Sequence, residues 1–136
     1  MDFNTFGKLK DFVEKELTFN EDNVERMSLN FSNIYMKYLR VFTNETKILK
    51  ELYYEKQKMF GKLLHHFKFE VEFQLDSKSE IESYIRSDDN YYNLCLKYSN
   101  QEIIVDYLEK TLSRINTMGF EIKNYIEIIK LKKGLI

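Results

Sequence analysis

Apolar side chains recur at steps of three and four residues through the first half of the chain, and this spacing predicts a long helix. Between residues 29 and 66, one such line of positions is apolar at eight of ten places, and no proline interrupts it. This line, the first seam, consists of Phe31, Tyr35, Tyr38, Phe42, Glu45, Leu49, Leu52, Lys56, Met59 and Leu63. A helix of that length extends about 55 Å at a rise of about 1.5 Å per residue.

The face opposite the first seam is basic. The positions on it, here named the basic stripe, are Lys37, Arg40, Lys47, Lys50, Tyr54, Lys58, Lys62 and His65. One interpretation is a solvated face, with Glu51 and Glu55 forming local ion pairs with Lys47 and Lys58. The other is a track for a phosphate backbone, which requires several cations in a row and no particular base contacts. Only Tyr54 interleaves with these cations as a stacking platform for a base.

The same reading divides the chain, expected to be a single domain over 1–136, into six segments. We predict an N-terminal amphipathic helix over 1–19, the long helix over 22–66, an extended segment over 67–78, a short helix over 79–86, a second long helix over 87–118 and a C-terminal assembly helix over 119–136. The second long helix has its own seam: Tyr91, Leu94, Tyr98, Gln101, Val105, Leu108, Leu112 and Ile115. This seam makes it the antiparallel partner of the first helix. The predicted fold class is therefore mainly all-α, with long antiparallel helices that assemble into a homo-oligomer.

One segment, near 67–75, has the alternation of a strand. Its apolar positions are Phe67, Phe69, Val71, Phe73 and Leu75, and each intervening residue is polar. A lone strand leaves its backbone groups unpaired. Two outcomes are open: the segment pairs with the same segment of another copy, or it lies extended over a helix face.

The C-terminal segment carries more apolar surface than one neighbour can cover. Gly119 is predicted to end the second long helix as a left-handed cap, after which apolar residues occupy more than one helical face. We predict that these positions and the alternating segment make the contacts between copies. The predicted assembly residues are Phe120, Ile122, Tyr125, Ile126, Ile129, Phe69, Val71 and Phe73.

Charge is strongly segregated along the 136 residues, although the formal net charge is only −1. Residues 31–68 carry a net charge of +5 and residues 69–90 carry −5. Blocks of opposite sign indicate contacts between copies or an anionic partner. The single cysteine excludes an internal disulfide framework, and no apolar stretch is long enough to predict a membrane span.

Motifs for catalysis are missing from the sequence. It has no glycine-rich phosphate loop, no cysteine pair, and no nucleophile beside a candidate base. Its two histidines, His65 and His66, are adjacent and point about 100° apart on a helix, so they cannot chelate one ion without a third ligand. We therefore predict a protein that is not an enzyme and that needs no metal or other cofactor.

Several stretches, in matching order and spacing over about 25–134, resemble the UvsY family, the recombination mediators of T-even-like bacteriophages. These stretches are Tyr35–Arg40, the lysine-bearing helix up to Lys62, the acidic segment that ends at 84–88, and the closing 119–126. The resemblance implies a small helical protein without catalytic activity, forming a ring-like homo-oligomer of about six or seven copies. It also implies binding of single-stranded DNA and assistance in loading the phage recombinase onto DNA covered by the phage single-strand-binding protein, in the cytoplasm of an infected bacterial cell.

The family's DNA-contacting basic pair lies at the end of the long helix, before an aromatic pair and a glycine. Here Lys62 matches one basic position, and Gly61 and Leu63 lie where the other would be. The residues that follow, 65–69, read His-His-Phe-Lys-Phe in place of the aromatic pair and glycine. The predicted DNA-binding residues are Lys47, Lys50, Tyr54, Lys58, Lys62, His65, His66 and Lys68. The alternative is a helical scaffold or adaptor protein that oligomerises without binding nucleic acid.

Overall fold

All regular secondary structure in the described part of the chain is helical, which confirms the mainly all-α prediction. The structure is a computed structural model, and it describes residues 3–72 and 77–134, with the backbone alone at residue 3. The elements are α1 (Phe3–Glu16), α2 (Val24–His65), a π-helical turn (His66–Glu70), α3 (Lys78–Ser87) and α4 (Asp89–Lys132). Side chains cap the two later helices: Ser77 accepts a hydrogen bond from the amide of Glu80, and Asp88 accepts one from the amide of Tyr91.

The chain divides into two compact units, where a single domain was expected from its length. Unit 1 comprises Met1–Glu45 and Ile104–Ile136, and unit 2 comprises Thr46–Ile103. The chain passes from one unit to the other within α2 and again within α4. Each unit is therefore packed by its own stretch of the same two helices.

Unit 1 has an apolar core supplied by α1, α2 and α4. Its largest buried cluster consists of Val13, Leu17, Val24, Met27, Tyr38, Leu112, Ile115, Met118 and Ile122. At the edge of this cluster, the Glu16 carboxylate accepts hydrogen bonds from Lys37 Nζ at 2.6 and 2.7 Å and from the Tyr38 hydroxyl. Burial, and then the hydrogen bond to Glu16, raises the pKa of Tyr38 well above its usual range. This contact ties the end of α1 to α2.

Gly119 does not end a helix, contrary to the prediction of separate segments over 87–118 and 119–136. It lies inside α4, which runs without interruption from Asp89 to Lys132. A Cβ at this position would lie 3.2 Å from Phe31 Cζ, so the glycine allows the Phe31 ring to approach without displacement. Among the described residues, the left-handed backbone conformation predicted for Gly119 is found at Gly134, where φ is 68°. The amide of Gly134 donates a hydrogen bond to the Leu131 carbonyl at the end of α4.

Unit 2 is built on aromatic contacts between its stretches of α2 and α4. The ring centroids of Tyr53 and Tyr98 are 6.2 Å apart, and those of Phe60 and Tyr91 are 6.1 Å apart. Residue numbers rise along α2 as they fall along α4, so the two stretches run antiparallel. All first-seam positions in this unit, from Leu49 to Leu63, are half-buried.

The prediction of an extended segment near 67–75 is wrong for residues 67–70, which belong to the π-helical turn. Phe67 packs against Tyr84 of α3 with ring centroids 5.5 Å apart, and Phe69 packs against His65 at 5.1 Å. The two aromatic residues thus pack against different neighbours and do not form one face of a strand. The backbone is extended at Val71, and residues 73–75 lie outside the described residues.

Replacing Gly119 by valine should destabilise the protein by about 1–3 kcal/mol, because the added atoms overlap the Phe31 ring in a packed core. The control is Gly61→Ala, whose Cβ meets nothing within 4 Å, and which should stabilise by about 0.5–1 kcal/mol by removing backbone freedom from the unfolded chain. Urea unfolding followed by circular dichroism measures both changes. Equal stability of Gly119→Val and the parent would show that Phe31 moves aside without cost.

Candidate functional site

Six residues of the basic stripe lie in unit 2, and all six are exposed. They are Lys47, Lys50, Tyr54, Lys58, Lys62 and His65. Their exposure follows from the half-buried seam on the opposite side of the helix, since residues three or four apart share one face. Lys56 belongs to the seam instead, and its Nζ lies 4.6 Å from the centroid of the Tyr98 ring. We call the four exposed lysines Lys47, Lys50, Lys58 and Lys62 the lysine row.

No member of the lysine row forms an ion pair with any residue that the structure describes. The local pairs expected between Glu51 or Glu55 and these lysines are not formed. Some lysines elsewhere are paired, as between Lys110 and Asp106 at 2.8 Å or Lys133 and Glu21 at 3.1 Å. The row spans about 22 Å along the helix axis at about 1.5 Å per residue. It is therefore a line of cations available to an extended polyanion.

Two histidines and one carboxylate lie at the C-terminal end of the lysine row. His65 Nδ1 is 3.2 Å from one Glu70 oxygen, and His66 Nδ1 is 3.0 Å from the other. The hydrogen bond to His66, assisted by the charge of His65, lowers the pKa of Glu70. Lys68 lies in the same turn, with its Nζ 5.4 Å from the Phe69 ring centroid. Glu70 thus lies against the Nδ1 atom of each of the two imidazoles.

Other chemistry has little support in the described ranges 3–72 and 77–134. No group of three or more His, Cys, Asp and Glu side chains there could hold a metal ion. None of the helices in these ranges is both long and apolar enough to span a membrane. Burial, and then the hydrogen bond with the neighbouring Cys95 thiol, raises the pKa of Tyr91, and both residues are half-buried.

The sequence model of the family described as "Recombination, repair and ssDNA binding protein UvsY" matches residues 12–135. The chain belongs to the UvsY family. This match covers most of the chain, including both long helices and the whole lysine row. The family assignment therefore rests on sequence and does not depend on the fold.

Solved structures of the bacteriophage T4 recombination mediator protein UvsY have the same fold. The lattice type IV crystal structure has a TM-score of 0.85 at 15% identity, covering 97% of this chain and 99% of that one. Lattice type II gives 0.84 at 17% identity, with 98% of each chain covered, and lattice type I gives 0.80 at 17%, covering 92% and 98%. No curated protein sequence matches the chain. The TM-scores establish a shared fold. At identities of 15–17%, the roles of individual residues do not transfer from the phage T4 protein to this chain.

The structure of this UvsY-family chain brings the predicted DNA-binding residues together. All eight lie in unit 2 and all are exposed, including His66 and Lys68 of the π-helical turn. The helical period predicted the six of them that lie in α2, and it holds because α2 has no break before His65. His66 and Lys68 were predicted from the family resemblance.

Most of the predicted assembly residues of α4 pack within their own chain. Ile122 is 2% exposed in the core of unit 1, and Tyr125, Ile126 and Ile129 pack against the same cluster. Phe120 is 75% exposed, and Phe69 in unit 2 is 67% exposed. Val71 is half-buried, and Phe73 lies outside the described residues.

Two further apolar residues of the C-terminal segment are exposed and were not among the predicted assembly residues, Ile128 and Leu131. Continuing the second seam through Gly119 in steps of three and four would have assigned Ile122, Ile126 and Ile129 to the core. The same count leaves Phe120, Ile128 and Leu131 on the outside.

Replacing Glu70 by glutamine should strengthen binding of single-stranded DNA, because it removes a carboxylate from both imidazoles. The lowered pKa of Glu70 means that the folded state favours its ionised form, and this contribution is lost as pH falls through the acidic range. Fluorescence anisotropy with labelled oligo-dT at neutral pH, where Glu70 is ionised, measures the change.

The matched control is Glu72→Gln, which removes the same charge from an exposed position two residues further along. It should have a smaller effect, because Glu72 forms no contact with either histidine. Identical behaviour of the two variants would indicate a general effect of net charge and would contradict a specific role for the histidine–Glu70 contacts.

Proposed function

We propose that this protein binds single-stranded DNA along the lysine row of unit 2 and helps load a phage recombinase onto DNA covered by single-strand-binding protein. The observation that carries the proposal is the row itself: four exposed lysines on one helical face, none paired with a described carboxylate. Tyr54, His65, His66 and Lys68 extend the same surface. Membership of a family of recombination, repair and single-stranded-DNA-binding proteins supports it.

Binding by such a surface is electrostatic and independent of base sequence. Each lysine that approaches a phosphate releases condensed counterions, so affinity falls as salt rises. Lysine ammonium groups also act as point charges on flexible stems, which suits a backbone without fixed geometry. Several copies engaging one strand would raise the apparent affinity without new kinds of contact. A strand held in this way is extended and accessible, as nucleation of a recombinase filament requires.

The assembly we propose is a closed homo-oligomer of about six or seven copies in the cytoplasm of an infected bacterial cell. Its contacts use the apolar residues that the core of unit 1 leaves exposed: Phe120, Ile128 and Leu131. Such exposed apolar residues near one another on a helix are typical of protein contacts. Phe69 is a further candidate in unit 2. The protein is proposed to act by binding alone, with no catalytic step and no cofactor.

Replacing Lys58 and Lys62 together by alanine should weaken binding of oligo-dT and flatten its salt dependence. For single strands each phosphate contact contributes about 0.7 to the slope of log K against log salt, so the slope should fall by about 1.4. The control removes two exposed lysines elsewhere, Lys8 and Lys97, and the same net charge. Titrations at several salt concentrations measure both slopes.

An equal loss in the control would move the DNA site away from the lysine row. A parent protein without salt-dependent binding would favour the alternative of a helical scaffold or adaptor. The opposite arm is Gly61→Lys, which adds a cation on the same face of α2 at a position with open space around its Cβ. It should steepen the slope by about 0.7 relative to Gly61→Ala.

Replacing Phe120 by aspartate should lower the sedimentation coefficient, because a charge would lie in the proposed contact between copies. Residue 120 is 75% exposed, so the fold of a single chain should be retained. The control is Leu29→Asp, which places the same charge at an exposed apolar position of α2. Unchanged sedimentation of Phe120→Asp would place the contact between copies elsewhere.

A further inference from the structure

An aromatic pair lies within the lysine row. Tyr54 follows Lys50 by one helical turn and precedes Lys58 by one turn, so the three side chains share a face. Its side chain is 66% exposed, which is unusual for a residue that buries 150–250 Å² in a typical core. The helical period places Tyr54 on this face, and contacts with neighbouring side chains determine how its ring is held.

The neighbouring Tyr53 supports Tyr54 from one side. Their rings meet edge to face, with centroids 5.6 Å apart and planes at 67°. The Tyr53 hydroxyl oxygen accepts a hydrogen bond from the Gln57 side-chain amide at 2.8 Å, and the Tyr53 ring also lies 6.2 Å from the Tyr98 ring of α4. Tyr53 is thereby fixed by contacts with three residues. The Tyr54 ring is steadied by its contact with Tyr53, while most of the residue remains exposed.

We propose that Tyr54 stacks on a nucleobase and makes the lysine row select single-stranded DNA over duplex. This inference rests on the proposed DNA-binding function and adds a base contact to it. Lysine contacts with phosphates cannot by themselves favour the single strand, because a duplex has the higher charge density along its axis. A base in a single strand has a free face for an aromatic ring, whereas a base in a duplex is already stacked on both faces. Lys50 and Lys58 hold the phosphates on either side of the stacked base.

The steadied ring makes this contact efficient. A side chain held near its bound orientation loses less conformational entropy when the ligand arrives. Stacking of a base on an aromatic side chain accepts every base, because every base has a π-face. The selectivity is thus for strandedness and leaves base sequence unread.

The experiment compares Tyr54→Ala with Tyr54→Phe, which keeps the ring. Dissociation constants are measured for oligo-dT, for a duplex of the same length, and for an abasic strand of that length, at one salt concentration. Tyr54→Ala should weaken oligo-dT binding about tenfold while duplex and abasic binding remain unchanged. Tyr54→Phe should bind all three as the parent does. The matched control is Tyr92→Ala, which removes another exposed tyrosine of unit 2, this one on α4.

Three results would overturn the inference: equal weakening of oligo-dT and duplex binding by Tyr54→Ala, no weakening of either, or the same loss in Tyr92→Ala. The salt slope supplies a second readout, because loss of stacking should leave it unchanged while loss of a phosphate contact should reduce it. If the Lys58 and Lys62 variant loses binding and Tyr54→Ala does not, the stacking fails and the proposed function stands. If the parent binds no oligo-dT, both fail.

Discussion

The unbroken backbone hydrogen-bond ladder of α2 is the constraint on which the candidate site depends. A helix without an interruption keeps one rotational phase, so burying one line of residues decides where all the others point. In unit 2 the half-buried line includes Leu49, Leu52 and Met59. The lysine row then faces solvent because no other direction is left to it. The site has no architecture of its own; it is the outer side of a helix whose inner side is held by packing.

The same geometry keeps like charges close together. Lys47 and Lys50 are three residues apart, and Lys58 and Lys62 are four apart, spacings at which cations repel by about 0.2–0.5 kcal/mol per pair. Apolar contacts such as that between Phe60 and Tyr91 stabilise unit 2 despite this repulsion. A polyanion that binds along the row removes it. The unfavourable arrangement in the free protein is therefore part of what makes anion binding favourable, which a row paired with carboxylates would lack.

A feature could be predicted from the sequence where its residue type has a single structural role, and it could not be predicted where the same residue type has several. The seams were predictable because apolar residues at helical spacing are buried in almost any helical fold. Gly119 was misassigned because a glycine permits either a left-handed cap or a close approach, and only the position of the Phe31 ring distinguishes these uses. The π-helical turn was missed because the alternation through Phe67 and Phe69 masked the helical spacing of His65 and Phe69, and because no local pattern connects Phe67 with Tyr84. The prediction of Ile122 as an assembly residue followed from the same error at Gly119. A helix that continues also continues its seam, and this seam places Ile122 in the core.

The contact between Phe31 and Gly119 also constrains the order in which the two positions can diverge. A side chain gained at residue 119 would place its Cβ 3.2 Å from the Phe31 ring and force that ring to shift, but the ring can be lost while the glycine remains. The path with the least steric strain therefore begins with a smaller residue at 31 and only then fills the space from 119. Exchange of volume between facing helices, one permissive step at a time, allows a fold to persist while identity to the phage T4 protein falls to 15–17%. In such a history, the backbone fold is retained while the side chains of the core are replaced.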